Sequence, residues 1–266
     1  MECFGPISIM RRGQNDPRVR DVVPCGRCAA CLHNRRAEWV TRLEQEMKVS
    51  ATAHFVTLTY HDPPEGDGGF FSLHKPDFQL FMKRLRKRVS EKLKYYAVGE
   101  YGSKTLRPHY HAIMFNLPGD PLPVLFNAWN LGIVHVGSVT PASIRYTLKY
   151  IMFSKKDSSL YEYVEPVFSL MSKGLGRSYV DSRKAWHVAD IQRNYVVKAN
   201  GEKSRLPRYF RDKIYSDEQK EQQRLIYEEE RNKFEVRTLV DFKDEHERKF
   251  DYERKTEKFL KGSARL

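Results

Sequence analysis

The fold of this chain is decided by the stretch Arg107-Pro108-His109-Tyr110-His111-Ala112-Ile113-Met114-Phe115. Proline has no backbone N–H to donate to a sheet ladder, so Pro108 marks the beginning of a strand. Side chains then alternate between two faces with the period of a β-strand. His109 and His111 therefore project from the same face, where two neighbouring imidazoles can share one metal ion. A pair of ordinary sheet-surface histidines is the alternative interpretation.

A carboxylate is predicted to lie beside these histidines. The stretch Lys94–Tyr101 is aromatic and β-branched, which indicates a strand, and it runs into a turn at residues 102–104. A short hairpin would place Glu100 next to His109 and His111. Two histidines and one carboxylate form a mixed nitrogen and oxygen site that suits Mn²⁺ or Mg²⁺, and the same set can hold non-haem iron. The alternative for Glu100 is an ordinary edge-strand carboxylate.

Two tyrosines supply a candidate nucleophile. Pro141 suits the first turn of a helix. On that helix Tyr146 and Tyr150 are spaced i and i+4, so they lie on one face with Lys149 beside them. Such a pair is commonly half-buried packing. Beside a metal site, however, a tyrosine hydroxyl can act as a nucleophile.

The charge of the chain favours a polyanionic partner. The formal net charge is +13, from 47 Lys and Arg against 34 Asp and Glu, which does not distinguish DNA from RNA or from an anionic membrane. No stretch has the roughly 20 apolar residues of a membrane span. The N-terminus lacks the basic region and apolar core of a signal peptide. We therefore expect a folded protein of the cytoplasm with no membrane partner.

A basic run on a predicted helix is a candidate nucleic-acid contact. Residues 76–89 carry an apolar stripe at helical spacing. Between those apolar positions lie five positive charges: Lys83, Arg84, Arg86, Lys87 and Arg88. A solvated helix face is the common interpretation of such density, and backbone-phosphate contact is the functional one. Such contacts would position a nucleic acid without reading its sequence.

The cysteines form a candidate structural metal site. The chain has four: Cys3, Cys25, Cys28 and Cys31. Disulfides at such close spacing are not expected in a cytoplasmic chain. Four thiolates would close a tetrahedral Zn²⁺ site that staples the N-terminal segment. An iron–sulfur cluster and reduced thiols without metal remain alternatives.

The order of the predicted elements indicates the fold class. Strand, helix, strand, strand, helix, strand and helix follow one another from residue 55 to residue 150, which predicts an α+β fold with a mainly antiparallel central sheet flanked by helices. We divide the chain into a Cys-rich segment and helix (residues 1–50), a core (51–215) and a charged helical tail (216–266).

Three signals lie downstream of the tyrosines. The glycines of residues 168–177 lack the spacing of a P-loop, so no nucleotide cofactor is expected. Asn200-Gly201 predicts a tight turn within a hairpin from Tyr195 to Arg205. Ser216 and Gln219 fit a capping box at the beginning of the last helix.

Three segments in this order resemble the HUH endonucleases that start rolling-circle replication. They are the strand Phe55–Tyr60, the His-Tyr-His strand and the Tyr-x-x-Lys-Tyr helix. The paired tyrosines, the Cys-x-x-Cys-x-x-Cys and Leu206-Pro207-Arg208-Tyr209 narrow the resemblance to the replication initiators of microviruses, the gokushovirus branch most closely. It covers roughly residues 1–215. Tyr110, between the histidines, fills a slot that usually holds a bulky hydrophobic residue.

The resemblance implies a nickase that also rejoins DNA. A divalent ion on His109, His111 and Glu100 would polarise a phosphate, and Tyr146 or Tyr150 would attack it to leave a 5′-phosphotyrosine link. Lys149 would favour the phenolate. The implied partners are single-stranded or nicked DNA at a replication origin and a host helicase.

Three rival functions keep parts of this pattern. A binding-only DNA protein would keep the basic helix and use the histidines for structure. A plasmid relaxase or a transposase would share the chemistry and differ in substrate. A non-haem iron oxygenase fits the ligand set but leaves the tyrosine pair and the basic charge without a role.

Overall fold

A computed structural model describes residues 3–11, 13–152, 159–198, 200–234, 247 and 249–258. The strands and helices are, in chain order, β1 (Ile7–Met10), β2 (Arg20–Val23), α1 (Ala29–Met47), β3 (Ala53–Thr59), α2 (Lys75–Arg86), β4 (Lys94–Tyr101), β5 (Pro108–Phe115), α3 (Leu122–Ala128), β6 (Val134–Ser138), α4 (Pro141–Thr147), β7 (Phe168–Met171), α5 (Arg177–Val188), β8 (Tyr195–Val197), β9 (Lys203–Arg205), α6 (Arg208–Ile214) and α7 (Asp217–Phe234). Short 3₁₀ helices cover Asp67–Gly69, Leu148–Met152 and Ser159–Glu162.

The chain forms two compact units. The core unit is Trp39–Lys184, and the terminal unit combines Met1–Glu38 with Ala185–Leu266. The division at residues 50 and 215 that we drew from the sequence stays a prediction.

The core unit is built on one five-stranded sheet. Its strand order is β6-β3-β5-β4-β7, and every neighbouring pair is antiparallel. This confirms the predicted α+β class with an antiparallel central sheet and flanking helices. The sequence did not predict β7, because its four residues precede a glycine-rich turn and all are only partly buried.

Side-chain alternation gives this sheet two different apolar faces. On the face that we call the α2 face, Leu58 and Tyr110 pack with Phe78 of α2. On the opposite face, the α4 face, Ile113 packs with Ile144 of α4. Each of these clusters is buried from solvent, which stabilises the unit by about 1.5–3 kcal/mol per large apolar side chain. The two histidines of β5 share the parity of Ile113, so they lie on the α4 face.

The terminal unit contains two small antiparallel sheets. β8 pairs with β9 around Gly201, whose φ of 81° suits the tight turn, and this confirms the predicted hairpin. β1 pairs with β2, a pairing that the sequence analysis missed. The Ser216 hydroxyl accepts from the backbone N–H of Gln219 at 3.2 Å, and the Gln219 side chain accepts from Ser216 N–H at 3.0 Å. The predicted capping box is therefore confirmed.

The helices were also compared with the requirements of a membrane span. In the part of the chain that the structure describes, none of them combines the necessary length and apolar character.

Candidate active site

The β4–β5 hairpin brings the predicted carboxylate to the histidines. Glu100 is the direct cross-strand partner of His109, so the two side chains leave the same face of the sheet at adjacent positions. The turn between the strands is closed by the backbone N–H of Gly102, which donates to Arg107 O at 2.9 Å. The predicted hairpin is confirmed.

Three side chains converge on one oxygen of Glu100. Its Oε1 lies 2.9 Å from His109 Nε2 and 3.1 Å from His111 Nε2. The Tyr146 hydroxyl donates to the same oxygen at 2.9 Å. Only 1% of Glu100 is exposed to solvent, and its second oxygen, Oε2, is buried without a hydrogen-bond partner among the described residues. A buried carboxylate oxygen in that state has a vacant lone pair for a further ligand.

The outer nitrogen of His109 is held by the backbone. His109 Nδ1 lies 3.1 Å from the carbonyl of Arg107, which can only accept, so this nitrogen carries the proton. In the neutral ring Nε2 then presents a lone pair toward the carboxylate. Two facing acceptors are stable only with a second ring proton or a cation between them.

A hydroxyl plays the same part at the second histidine. His111 Nδ1 lies 2.9 Å from Thr57 Oγ1, because Thr57 is its cross-strand partner on β3. The ring also stacks on Phe55, with centroids 5.2 Å apart. Outer-nitrogen contacts of this kind orient histidines that bind metals. Sequence reasoning gave β3 only a general supporting role, and the cross-strand register is what identifies Thr57.

The three groups fit a divalent cation. One ligand atom from each of Glu100, His109 and His111 lies within 4.8 Å of the others, and none of the three residues is fully exposed. Burial alone would raise the pKa of the Glu100 carboxyl, but hydrogen bonds from His109 and His111 outweigh burial and lower it to about 2. The carboxylate is therefore ionised at neutral pH, as a metal ligand must be.

The tyrosines are reached by a change of helix type. The sequence predicted one helix carrying both, whereas α4 ends at Thr147 and a 3₁₀ helix continues through Leu148–Met152. The Tyr146 ring meets the His111 ring edge-on, with centroids 5.2 Å apart. Tyr146 and Tyr150 also share a side-chain hydrogen bond. Both hydroxyls are thus gathered near the carboxylate, although the regular i, i+4 geometry is not kept.

A buried lysine lies between the two tyrosine rings. Lys149 Nζ is 3.8 Å from the ring centroid of Tyr146 and 4.8 Å from that of Tyr150. Burial lowers the pKa of Lys149, against the opposing charge of Glu100. Burial and the Glu100 charge raise the pKa of both tyrosines. Without an added positive charge, the phenols are held in the protonated form.

The basic run lies elsewhere in the core unit. α2 packs on the α2 face through Phe78, Phe81 and Leu85, which is the side of the sheet away from the triad of Glu100 and the two histidines. Arg84 Nε donates to the Ala128 carbonyl at the end of α3, at 2.8 Å. The other four basic side chains are exposed to solvent: Lys83, Arg86, Lys87 and Arg88. The fold does not bring them to the histidines.

The four cysteines come together in the terminal unit. Their sulfur atoms all lie within 4.8 Å of one another, and Cys3 Sγ is 3.8 Å from Cys28 Sγ. A tetrahedron of thiolates about 2.3 Å from a Zn²⁺ ion has sulfurs about 3.8 Å apart. Gly26, with φ of 74°, makes the turn between Cys25 and Cys28.

Backbone N–H groups point at two of these sulfurs. Cys25 N donates to Cys3 Sγ at 3.2 Å, and Cys28 N donates to Cys25 Sγ at 3.3 Å. Backbone donation from Arg27 and Cys28 lowers the pKa of the Cys25 thiol to about 6. Burial raises the pKa of the Cys31 thiol to about 12. The site thus stabilises a thiolate and leaves a buried thiol facing it, an arrangement that a cation would complete.

Comparison with known proteins decides the family. The chain is 30% identical over 248 residues to "Replication-associated protein ORF2" of Spiroplasma virus 4, which covers 83% of this chain and 76% of that protein. The family model that describes the replication-associated protein ORF2 matches residues 53–157. The chain belongs to this family of phage replication-associated proteins. The matched region includes Glu100, both histidines and both tyrosines, so the candidate site lies inside it.

Two further phage relatives agree with this membership. "Replication-associated protein VP4" of Bdellovibrio phage phiMH2K is 28% identical over 215 residues, which cover 71% of this chain and 66% of that protein. "Replication-associated protein ORF4" of Chlamydia phage 1 is 27% identical over 222 residues, which cover 71% of this chain and 53% of that protein. No solved structure matches the chain. The resemblance to replication proteins of microviruses, drawn from the sequence, is confirmed.

Proposed function

We propose that this chain starts phage genome replication as an HUH-type endonuclease, which nicks and rejoins single-stranded DNA through a 5′-phosphotyrosine link. The observation that carries the proposal is the meeting of a tyrosine hydroxyl and two imidazoles on one carboxylate oxygen, Oε1 of Glu100. Membership of a replication-associated family and the net charge of +13 support a nucleic-acid substrate.

The metal ligands would be His109, His111 and Glu100, holding Mn²⁺ or Mg²⁺. The buried, unpartnered Oε2 of Glu100 and the fixed outer nitrogen of each histidine support this assignment. When bound, such an ion acts as a Lewis acid that polarises a phosphate oxygen. The mixed imidazole and carboxylate set suits Mn²⁺ in particular.

The nucleophile would be the Tyr146 hydroxyl. Its oxygen forms a bond to phosphorus while the bond from phosphorus to the 3′ oxygen breaks. The phenolic proton is lost from Tyr146, which already donates toward Glu100, and the departing 3′ oxygen gains a proton. The products are a 3′-hydroxyl end and a 5′-phosphotyrosine. The link keeps the phosphodiester energy, so rejoining by a 3′-hydroxyl needs no nucleotide cofactor.

Lys149 and Tyr150 would serve the same exchange. The ammonium of Lys149, 3.8 Å from the Tyr146 ring centroid, places positive charge beside the phenol that must lose its proton. Tyr150, hydrogen-bonded to Tyr146, would cut a second strand before the first link is resolved. The two tyrosines could then alternate as the displaced strand is released and closed into a circle.

The four cysteines would hold a structural Zn²⁺ ion. The sulfur separation of 3.8 Å and the backbone N–H groups aimed at sulfur support zinc. The ion would join Cys3 to the knuckle of Cys25, Cys28 and Cys31, and would contribute folding free energy to the terminal unit.

The test is covalent capture of single-stranded DNA. Labelled oligonucleotides that tile candidate origins are incubated with Mn²⁺ or with EDTA, and adducts are resolved by denaturing electrophoresis. We expect a metal-dependent adduct with wild type that disappears in the Tyr146→Phe, Tyr150→Phe double variant. Loss in one single variant names the primary nucleophile.

The opposite outcome is equally clear. An adduct that survives the double variant would remove the tyrosines from the chemistry. Tight binding without any adduct, on every candidate origin and with every divalent metal, would place the protein in the binding-only class. Tyr163→Phe is the matched control, since that exposed tyrosine lies outside the triad and its loss should leave the adduct unchanged.

A further inference from the structure

Three exposed aromatic side chains lie in the core unit at the end of the sheet that carries the candidate site. Phe70 is 45% exposed, Phe71 is 39% exposed and Tyr163 is 47% exposed. Phe70 and Tyr163 form a pair, with ring centroids 5.8 Å apart. Large aromatic rings in water cost free energy unless a partner covers them. No role in the triad or the nucleophile accounts for them.

The backbone holds these rings in place. Gly66 N–H donates to Phe70 O at 2.7 Å, and Asp67 N–H donates to Tyr163 O at 2.9 Å. Phe71 forms an isolated β-bridge with Glu65. A Cβ at Gly66 would come within 2.5 Å of the Tyr163 carbonyl, so only glycine allows the two segments to approach this closely. The aromatic surface is therefore preorganised, which lowers the entropy cost of binding to it.

Arg107 connects this surface to the site. Its guanidinium carbon lies 5.7 Å from the ring centroid of Phe71, while its carbonyl accepts from His109 Nδ1 at 3.1 Å. The Nη2 group donates to the carbonyls of Tyr60 and His61, both at 3.0 Å. The guanidinium has five N–H donors, so it keeps donors for a phosphate. A cation, exposed rings and a metal-ligand histidine thus share one edge.

We propose that Phe70, Phe71, Tyr163 and Arg107 form a stacking platform for unpaired nucleobases of the strand that is cut. Bases of any identity stack on aromatic rings, and arginine pairs with the backbone between them. The positive charge beside the rings favours a nucleic acid over an apolar protein segment. The inference rests on the proposed function for its choice of single-stranded DNA.

The platform is tested by binding in EDTA, where no strand is cut. Fluorescence anisotropy compares a labelled single-stranded oligonucleotide with the same oligonucleotide carrying abasic spacers. We expect Phe71→Leu and Tyr163→Leu each to weaken binding of the normal strand roughly 5- to 150-fold. Both variants should bind the abasic strand as weakly as wild type does. Phe71→Trp should retain wild-type affinity, because it keeps an aromatic face.

Phe126→Leu is the matched control. Phe126 is 61% exposed on α3, which packs on the α2 face, and its replacement should leave affinity unchanged. Equal affinity of wild type for normal and abasic strands would overturn the platform. Leucine variants that bind DNA normally but change self-association in sedimentation would assign the surface to a protein partner and also overturn it.

The platform and the nickase can fail separately. A base-dependent loss of affinity in the leucine variants, together with no adduct under any metal, would keep the platform and remove the phosphotyrosine chemistry. A normal adduct with unchanged DNA affinity in those variants would do the reverse.

Discussion

At the scale of the residue, the candidate site depends on how a buried carboxylate is tolerated. An ionised carboxylate without partners is expensive to bury, and Glu100 is 1% exposed. Two imidazoles and a phenol offset that cost from one side, through Oε1. Oε2 is left without a partner in the described structure. The imbalance is what a cation would correct, and it gives the metal assignment a physical basis.

Thr57 should tune metal affinity without touching the metal. Replacing it with valine removes the hydroxyl at His111 Nδ1, so the ring loses its orientation. We expect Thr57→Val to weaken Mn²⁺ binding about 10- to 100-fold, measured by electron paramagnetic resonance titration. Thr59→Val is the control, because Thr59 lies on the same face of β3 and its hydroxyl donates to Ile133 O at 3.4 Å. Equal losses in both variants would contradict the orienting role.

The Glu100 carboxylate should give stability a defined pH dependence in EDTA. Its pKa falls from an ordinary 4.5 to about 2 on folding, so the folded state favours the ionised form. That stabilisation is fully present above pH 4.5 and is lost as the pH falls towards 2. The difference in unfolding free energy between wild type and Glu100→Gln, on the order of 3 kcal/mol at neutral pH, should shrink over this range. Urea denaturation from pH 6 to pH 3 measures it, and a constant difference would show that the carboxylate is not stabilised by the histidines.

At the scale of the element, β5 is fixed to both faces of the sheet by alternate side chains. His109 and His111 point to the α4 face, while Tyr110 between them points to the α2 face. There the Tyr110 hydroxyl lies 2.7 Å from the Tyr60 hydroxyl and donates to His74 O at 2.8 Å. Tyr60 in turn donates to Asp77 of α2 at 2.8 Å. This buried network ties the site strand to the beginning of α2.

Tyr110→Phe should therefore destabilise the core unit. The ring still fills its site, but the His74 carbonyl loses its donor and the Tyr60 hydroxyl loses a neighbour. We expect a decrease of about 1–3 kcal/mol in unfolding free energy, measured by urea denaturation. Tyr163→Phe, at an exposed position, should change the free energy by less than about 0.5 kcal/mol. A neutral Tyr110→Phe would mean that the hydroxyl network contributes no stability.

At the scale of the whole molecule, the chain keeps its two candidate metal-ligand clusters in different units. The histidine and carboxylate set belongs to Trp39–Lys184, and the four cysteines belong to the unit that includes both ends of the chain. Hard and soft ligands select different ions. Each ion could then be removed with its own local consequence.

Removal of zinc should loosen the terminal unit first. A strong zinc chelator, or Cys28→Ser, leaves the remaining cysteines without a complete ligand set around one ion. We expect hydrogen exchange of residues 20–32 to accelerate at least about tenfold, since metal-binding energy is folding energy in such sites. Strands β3 to β5 should keep their protection and serve as the internal control. Unchanged exchange after complete zinc removal, or a protein that purifies without zinc, would contradict the structural role.

The basic side chains of α2 should affect DNA affinity without affecting the chemistry. Lys83, Arg86 and Lys87 are exposed and lie on the sheet face away from the triad. Their replacement by alanine should reduce the slope of log affinity against log salt by about 0.7 for each phosphate that they neutralise. The adduct yield at saturating DNA should stay unchanged. A slope equal to that of wild type would leave these residues as a solvated helix face.

What the sequence by itself determined is local in origin. Strand alternation put His109 and His111 on one face, a short turn put Glu100 beside them, and the cysteine spacing indicated a knuckle. These features depend on neighbours within a few residues, so periodicity and turn chemistry suffice to predict them. The order of strands and helices indicated the α+β class for the same reason.

What only the tertiary structure decided depends on pairing between distant segments. The register of β3 against β5 gave His111 its Thr57 partner, and the packing of α4 brought Tyr146 to Glu100 across 46 positions of sequence. The same packing put the basic helix on the far face and the exposed aromatic rings beside Arg107. Burial of apolar side chains selects which face a helix covers, and that selection is a sum over the whole core that no local pattern contains.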